Sequence, residues 1–153
     1  MPHVAATFED FASAGRLLHD FNTEFDDPTP GPEALAVRIA GLLESGTADV
    51  LLDGADDGEP SAVCVLRYRP SLWSEADECY LAELYVAPAA RGTGIGRRLL
   101  RASIERAREQ GCDFIDLSTS EDDVAARHLY EAEGFRRTEG AGGPLTFHYE
   151  MDL

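Results

Sequence analysis

Apolar residues recur along this chain with two periods, and the switches between them divide it into elements. Val4 to Phe8 reads as a short first strand. Phe11, Ala14, Leu17, Leu18 and Phe21 then fall at helical spacing and predict an amphipathic helix. The run from Asp26 to Pro32 breaks that pattern with three prolines and a glycine. A second helix follows from Glu33 to Leu43, with Leu35, Ile39, Leu42 and Leu43 as its apolar stripe. Val50–Asp53 and Ser61–Tyr68 read as two strands of a hairpin, joined by a turn over Gly54–Pro60. Arg69 to Asp77 is a loop, and Cys79 to Val86 is a long strand. Leu99, Leu100, Ile104 and Ala107 mark the buried face of a third helix that Gly111 ends. Phe114–Leu117 is a short core strand, Asp122–Glu133 a fourth helix, and Thr146–Met151 a strand that closes the sheet.

The order is therefore β-α-α-β-β-β-α-β-α-β-β. The strand, helix and strand between Cys79 and Leu117 suit a right-handed crossover. No linker, repeat or low-complexity stretch interrupts the chain, so residues 1–153 read as a single domain.

Composition narrows the function classes. Length and the hydrophobic fraction of 44% are those of one globular domain. There is no apolar run of ~18 residues and no basic, apolar leader, so a cytoplasmic location is expected and a membrane is not. A net charge of −16 argues against nucleic acid as a partner. All thirteen basic residues are arginines, and six of them lie between Arg91 and Arg108, whereas residues 1–60 carry thirteen acids. That asymmetry suits phosphates at one end and a cationic amine at the other. Cys64, Cys79 and Cys112 lack metal-type spacing and the histidines are scattered, so no metal site is expected. Cys64 and Cys79 are expected as small buried hydrophobes.

The chemistry concentrates in Arg91-Gly92-Thr93-Gly94-Ile95-Gly96, between the long strand and the third helix. Alternate glycines let a ligand approach the backbone, and the helix start offers unpaired N–H groups and partial positive charge. This combination suits phosphate. A P-loop is excluded because no lysine is present. A dinucleotide fingerprint finds two glycines but Leu99 in place of the third, although Asp116 stands at a ribose-contacting distance along the chain, so this alternative stays open.

Arg91, Gly94 and Gly96, after Leu84-Tyr85-Val86-Ala87-Pro88, resemble the acyl-CoA loop of the GNAT superfamily of N-acetyltransferases. Asp123-Val124-Ala125-Ala126-Arg127-His128-Leu129-Tyr130-Glu131-Ala132-Glu133-Gly134-Phe135 is similar to the family's later signature, with Asp123 where Asn is usual. The resemblance runs from about Glu78 to Phe135. It implies an α/β (α+β) GNAT fold: a mixed, mostly antiparallel sheet of six to seven strands with helices on both faces. It also implies acetyl-CoA as cofactor and an amine of a small molecule or peptide as acceptor. The amides of Gly92, Thr93, Gly94, Ile95, Gly96 and Arg97 would receive the diphosphate, with charge from Arg91 and Arg97. The main chain of Leu84, Tyr85 and Val86 would pair with pantetheine, and Asp123 would accept a hydrogen bond from it. Arg98, Arg101, Arg106 and Arg108 are read as a solvated helix face.

For catalysis, Tyr130 is the candidate general acid by resemblance. Glu83, a carboxylate inside an apolar strand, is the candidate base. Neither motif carries a nucleophilic cysteine, which points to direct attack in a ternary complex. Ser118 stands where some peptide-terminal acetyltransferases of the family carry Glu. Asn22, Glu24, Asp26 and Asp27, with Trp73 and Tyr80, are candidates for an anionic acceptor entrance. Two other classes stay open: a non-catalytic acyl-CoA-binding regulator and a nucleotide-binding oxidoreductase domain. Dimers are frequent among similar proteins, and monomer and homodimer both remain possible.

Overall fold

The computed structural model describes residues 1–54 and 58–153. In chain order these form β1 (His3–Val4), α1 (Phe8–Glu24), α2 (Pro32–Glu44), β2 (Ala48–Gly54), β3 (Pro60–Pro70), β4 (Asp77–Val86), a short 3-10 turn (Pro88–Ala90), α3 (Ile95–Glu109), β5 (Cys112–Asp116) and α4 (Val124–Ala132). The middle of the turn expected over Gly54–Pro60, residues 55–57, lies outside the described residues. The chain divides into two compact units, Met1–Ile115 and Asp116–Leu153.

One sheet runs in the order β1-β2-β3-β4-β5. β1 to β4 pair antiparallel in sequence, and the sheet as a whole is mixed. Strand alternation then sorts the side chains. Val50, Leu52, Val63, Val65 and Tyr85 share a cluster with Ala14 and Leu17 of α1 and Ile39 of α2. Leu51, Cys64, Leu66 and Leu81 point the other way, and α3 packs against β2, β3 and β4 with Leu99, Leu100 and Ala107 buried. Helices thus cover both sheet faces, as the α/β reading expected. Gly15 allows the tight α1–α2 contact: a Cβ there would meet the Pro32 carbonyl oxygen at 2.4 Å.

The first strand is shorter than Val4–Phe8. Thr7 caps α1, its Oγ1 accepting from the Asp10 N–H while Asp10 Oδ2 accepts from the N–H groups of Thr7 and Ala6. This capping box turns the chain into a helix three residues before the apolar periodicity becomes visible. Phe8 consequently opens α1 on its solvent side.

The sheet holds five strands among the described residues rather than six to seven. Thr146–Met151 keeps its alternation, yet Phe147, Tyr149 and Met151 are exposed and no strand forms. Local bonds take the preceding residues instead. Glu139 donates to the Pro144 carbonyl, Thr146 donates to that of Arg137, and Thr138 bridges Leu145. A strand requires a neighbour's main chain as well as a side-chain pattern.

Candidate active site

β4 departs from regular pairing at one place. Leu66 faces Leu81 and Val65 faces Glu83, so Ala82 is an extra residue that bulges the strand. The bulge puts Glu83 in register with Val65 and, two residues on, Tyr85 with Val63, on the face that α1 and α2 pack against. Glu83 itself remains exposed, with no hydrogen-bond or ion-pair partner among the described residues. Partial desolvation by the surrounding protein raises its carboxyl pKa above the ordinary value.

β5 begins beside the start of β4, where the Asp77 N–H donates to the Gly111 carbonyl at 3.2 Å. Because the β1–β4 pairs are all antiparallel and the sheet is mixed, β5 runs parallel to β4. It has 5 residues against the 10 of β4, so Leu84, Tyr85 and Val86 lie past its end. Their other edge is taken by β3, through the pairs Cys64–Leu84, Val63–Tyr85 and Ala62–Val86.

After Val86 the 3-10 turn leads into the glycine bend. Gly92 and Gly94 have φ of 77° and 86°, the left-handed region, and a Cβ on either would meet nothing within 4 Å. Both glycines therefore serve the turn and keep its outer side open. The Arg98 N–H closes the first helical turn on the Gly94 carbonyl at 3.1 Å. The amides of Gly92, Thr93, Gly94, Ile95 and Gly96 have no protein acceptor among the described residues. An open hollow of about 530 Å³ adjoins this bend, lined in part by Ser61, Ala87, Ala90, Thr93, Ile95 and Arg98.

The arginines are placed differently from expectation. Arg91 Nη2 contacts both Glu24 oxygens at 2.9 and 2.8 Å, and its Nε donates to the Val86 carbonyl at 2.9 Å. Arg98 grips Asp53 through Nε at 2.7 Å and Nη2 at 2.8 Å. Arg106 Nε donates to Asp49 at 2.7 Å, and the Tyr68 hydroxyl joins the same carboxylate at 2.9 Å. Arg108 pairs with Glu105. Arg91, Arg98, Arg106 and Arg108 are thus matched by carboxylates, and Arg98 and Arg106 bind the sheet instead of forming a solvated face.

A spacing match explains this. Asp49 and Asp53 lie four residues apart on one face of β2, about 13 Å. Arg98 and Arg106 lie eight apart on α3, about 12 Å. Buried Asp53 loses water, which would raise its pKa, but the Arg98 bonds and the Gly54 N–H outweigh that and hold it below the usual value. The regular Asp-x-x-x-Asp of β2, in an otherwise apolar strand, is the sequence signal that would have found the pair.

In the second unit, Asp123 is the N-cap of α4, its Oδ1 accepting from the Ala126 N–H at 3.1 Å. Tyr130 is the buried residue of that helix and sets its ring edge-on to Phe135, with centroids 5.8 Å apart. Ser118 Oγ lies 3.2 Å from His148 Nδ1. Of the candidate acceptor residues, Glu24 is held by Arg91, Asn22 donates to the Pro28 carbonyl, and Trp73 is exposed. Cys64 and Cys79 are fully buried, as expected, and burial pushes the Cys64 thiol up to about 12. No group of three or more metal-binding side chains occurs among the described residues.

The site is thus a bulged strand that feeds, through a glycine bend, the start of a 15-residue helix. The chain belongs to the GNAT acetyltransferase family, whose model matches residues 15–135. It is 33% identical over 98 residues to the thialysine N-epsilon-acetyltransferase of Bos taurus, covering 61% of this chain and 57% of that protein. It is 30% identical over 137 residues to an aminoglycoside N(6')-acetyltransferase type 1 of Stenotrophomonas maltophilia, covering 88% and 85%. Among solved structures, a protein of Arthrobacter sp. FB24 assigned as an acetyltransferase superposes with a TM-score of 0.87 at 39% identity, over 100% of this chain and 96% of that one. The chain spans little more than half the length of the bovine relative. Family membership groups it with acyltransferases, which as a family use acetyl-CoA.

Proposed function

We propose that the chain is an N-acetyltransferase that moves an acetyl group from acetyl-CoA to a primary amine of a small molecule or peptide, by direct attack in a ternary complex. One observation carries this reading: five consecutive amides, Gly92 to Gly96, lack a protein acceptor among the described residues at the start of a 15-residue helix. A diphosphate satisfies such donors and their partial positive charge. Arg97 adds charge on the first turn, and Leu84, Tyr85 and Val86, past the end of β5, suit an extended pantetheine arm. When bound, acetyl-CoA supplies an acetyl thioester that is activated toward amines.

Glu83 takes the proton of the attacking ammonium, directly or through water, and its raised pKa brings it nearer the working range of a base. Tyr130 donates to the leaving sulfur, and Asp123 supports pantetheine while capping α4; both roles rest on the family signature. The net charge of −16 favours a cationic acceptor. The family match runs across the boundary between the two units, which supports reading 1–153 as one transferase domain. Three free cysteines suit a reducing, cytoplasmic setting.

A thermal-shift comparison tests the cofactor: acetyl-CoA raises the melting temperature and NAD does not. Acetylation of an amine panel, read by product mass, tests the transfer. A chain stabilised by acetyl-CoA that acetylates no amine would be the binding regulator instead. Glu83→Gln removes the alkaline-rising limb of the rate profile, and Tyr130→Phe lowers kcat with coenzyme A affinity retained.

A further inference from the structure

We infer that Glu24 is a positioning residue for the cofactor loop, acting through Arg91, and that Arg91 serves the loop's shape rather than the diphosphate. The inference rests on the reading of Gly92–Gly96 as a coenzyme A site.

Glu24 is the last residue of α1, and that helix has no basic residue in its final turn. A carboxylate there faces the negative end of the helix dipole, so its position requires compensation. Arg91 supplies it from 67 residues away, with one terminal nitrogen in contact with both carboxylate oxygens. The same guanidinium holds the Val86 carbonyl at the end of β4 and lies 5.7 Å from the centre of the Tyr85 ring. Tyr85 in turn donates its hydroxyl to Glu24 at 3.3 Å and stacks on Phe21 of α1, with centroids 5.0 Å apart. Arg91 is the residue immediately before Gly92. The end of α1, the end of β4 and the entry to the glycine bend therefore meet at one guanidinium. Its Nε and Nη2 are committed to protein, so diphosphate recognition falls chiefly to the backbone amides, with Arg97 adding charge. A planar, always charged fork with several donors can hold all three parts of this junction at once.

Coenzyme A binding by calorimetry separates the two roles of Arg91 by sign. If Arg91 were a phosphate ligand, Glu24 would compete for it, and Glu24→Gln would leave affinity equal or raise it. If Glu24 positions the loop, Glu24→Gln weakens coenzyme A by about fivefold, the worth of a half-exposed pair. Arg91→Gln then weakens it similarly, and the double variant is no worse than Arg91→Gln alone. Salt gives a second measurement: a positioning role leaves the salt dependence of binding in Arg91→Gln parallel to that of the unaltered chain, whereas a phosphate ligand's loss flattens it. Equal or tighter binding by Glu24→Gln, or a flattened slope in Arg91→Gln, overturns the inference alone. No coenzyme A binding by the unaltered chain overturns the proposed function and this inference with it.

Discussion

Both units carry strand-like apolar patterns, and the outcomes differ. In Met1–Ile115, the unbroken apolar runs Val50–Leu52 of β2 and Ala62–Leu66 of β3 end in burial on both faces: Val50, Leu52, Val63, Cys64 and Leu66 are all at 0% exposure. In Asp116–Leu153, a regular alternation through Phe147, Tyr149, Met151 and Leu153 ends in exposure, and Tyr130 is the buried hydrophobic residue of that unit. Periodicity states which face a segment would bury. Only partner strands and helices supply something to bury it against. The first unit therefore owes its stability to packing, and the second owes its local order to caps and turns.

The contrast is broken most directly by core truncation. Leu52→Ala removes a fully buried side chain between β1 and β3 and leaves a cavity where α1 packs. A loss of about 3 kcal/mol is expected, seen as a lower urea midpoint. A loss below about 1 kcal/mol would mean that this core is loosely packed and that the units do not differ in kind.

The next effect tests the charged layer of the same unit. Arg98→Met leaves Asp53 buried without its guanidinium, and the fold loses about 2 kcal/mol, less than for a fully buried pair because Arg98 is half exposed. Arg98→Met/Asp53→Leu, which removes both charges, recovers most of that loss. Failure of the second change to recover stability would show that the pair's geometry, not its charge balance, holds α3 to β2.

The positions of helices and strands were largely legible because α1, α3 and β2 to β4 each bury a continuous face. The glycine bend was equally legible, since positive φ at Gly92 and Gly94 requires a residue type that the sequence displays. What the sequence hid was pairing across distance. Arg91 with Glu24, Arg98 with Asp53 and Arg106 with Asp49 join residues 67, 45 and 57 apart, and an arginine on a helix looks the same whether solvent or a carboxylate receives it. The bulge at Ala82 was hidden for a related reason: one extra residue shows only when the partner's register is known. The five-strand sheet differs from the expected six to seven because no pattern announces that a segment lacks a partner.

A smaller, pH-dependent effect separates capping from packing within the first unit. The Asp10 carboxylate is partly desolvated, but it accepts N–H bonds from Ala6 and Thr7 and a contact from His3, which together lower its pKa from 3.8 to about 2. The folded state thus favours the ionised form. The resulting stabilisation, about 1–2 kcal/mol, is complete above roughly pH 5 and is lost as pH falls through the folded value. Urea midpoints of the unaltered chain and Asp10→Ala should therefore converge on acidification from about pH 6 towards pH 2. A gap that stays constant would assign the effect to helix propensity instead of charge.

The smallest expected effects lie in the second unit, and there they are diagnostic. Asp123→Ala removes the cap of α4 and costs about 1 kcal/mol, whereas Asp123→Asn, which can still accept from Ala126, costs less. Phe147→Ala removes a larger side chain, yet that side chain is 74% exposed, so the midpoint should move by less than about 0.5 kcal/mol. A cap worth more than an aromatic ring is the reverse of the order in the first unit, where Leu52 outweighs the Asp10 cap. If Phe147→Ala instead cost as much as Leu52→Ala, the C-terminal alternation would be buried in solution, and the distinction between a packed unit and a capped one would fail at its clearest point.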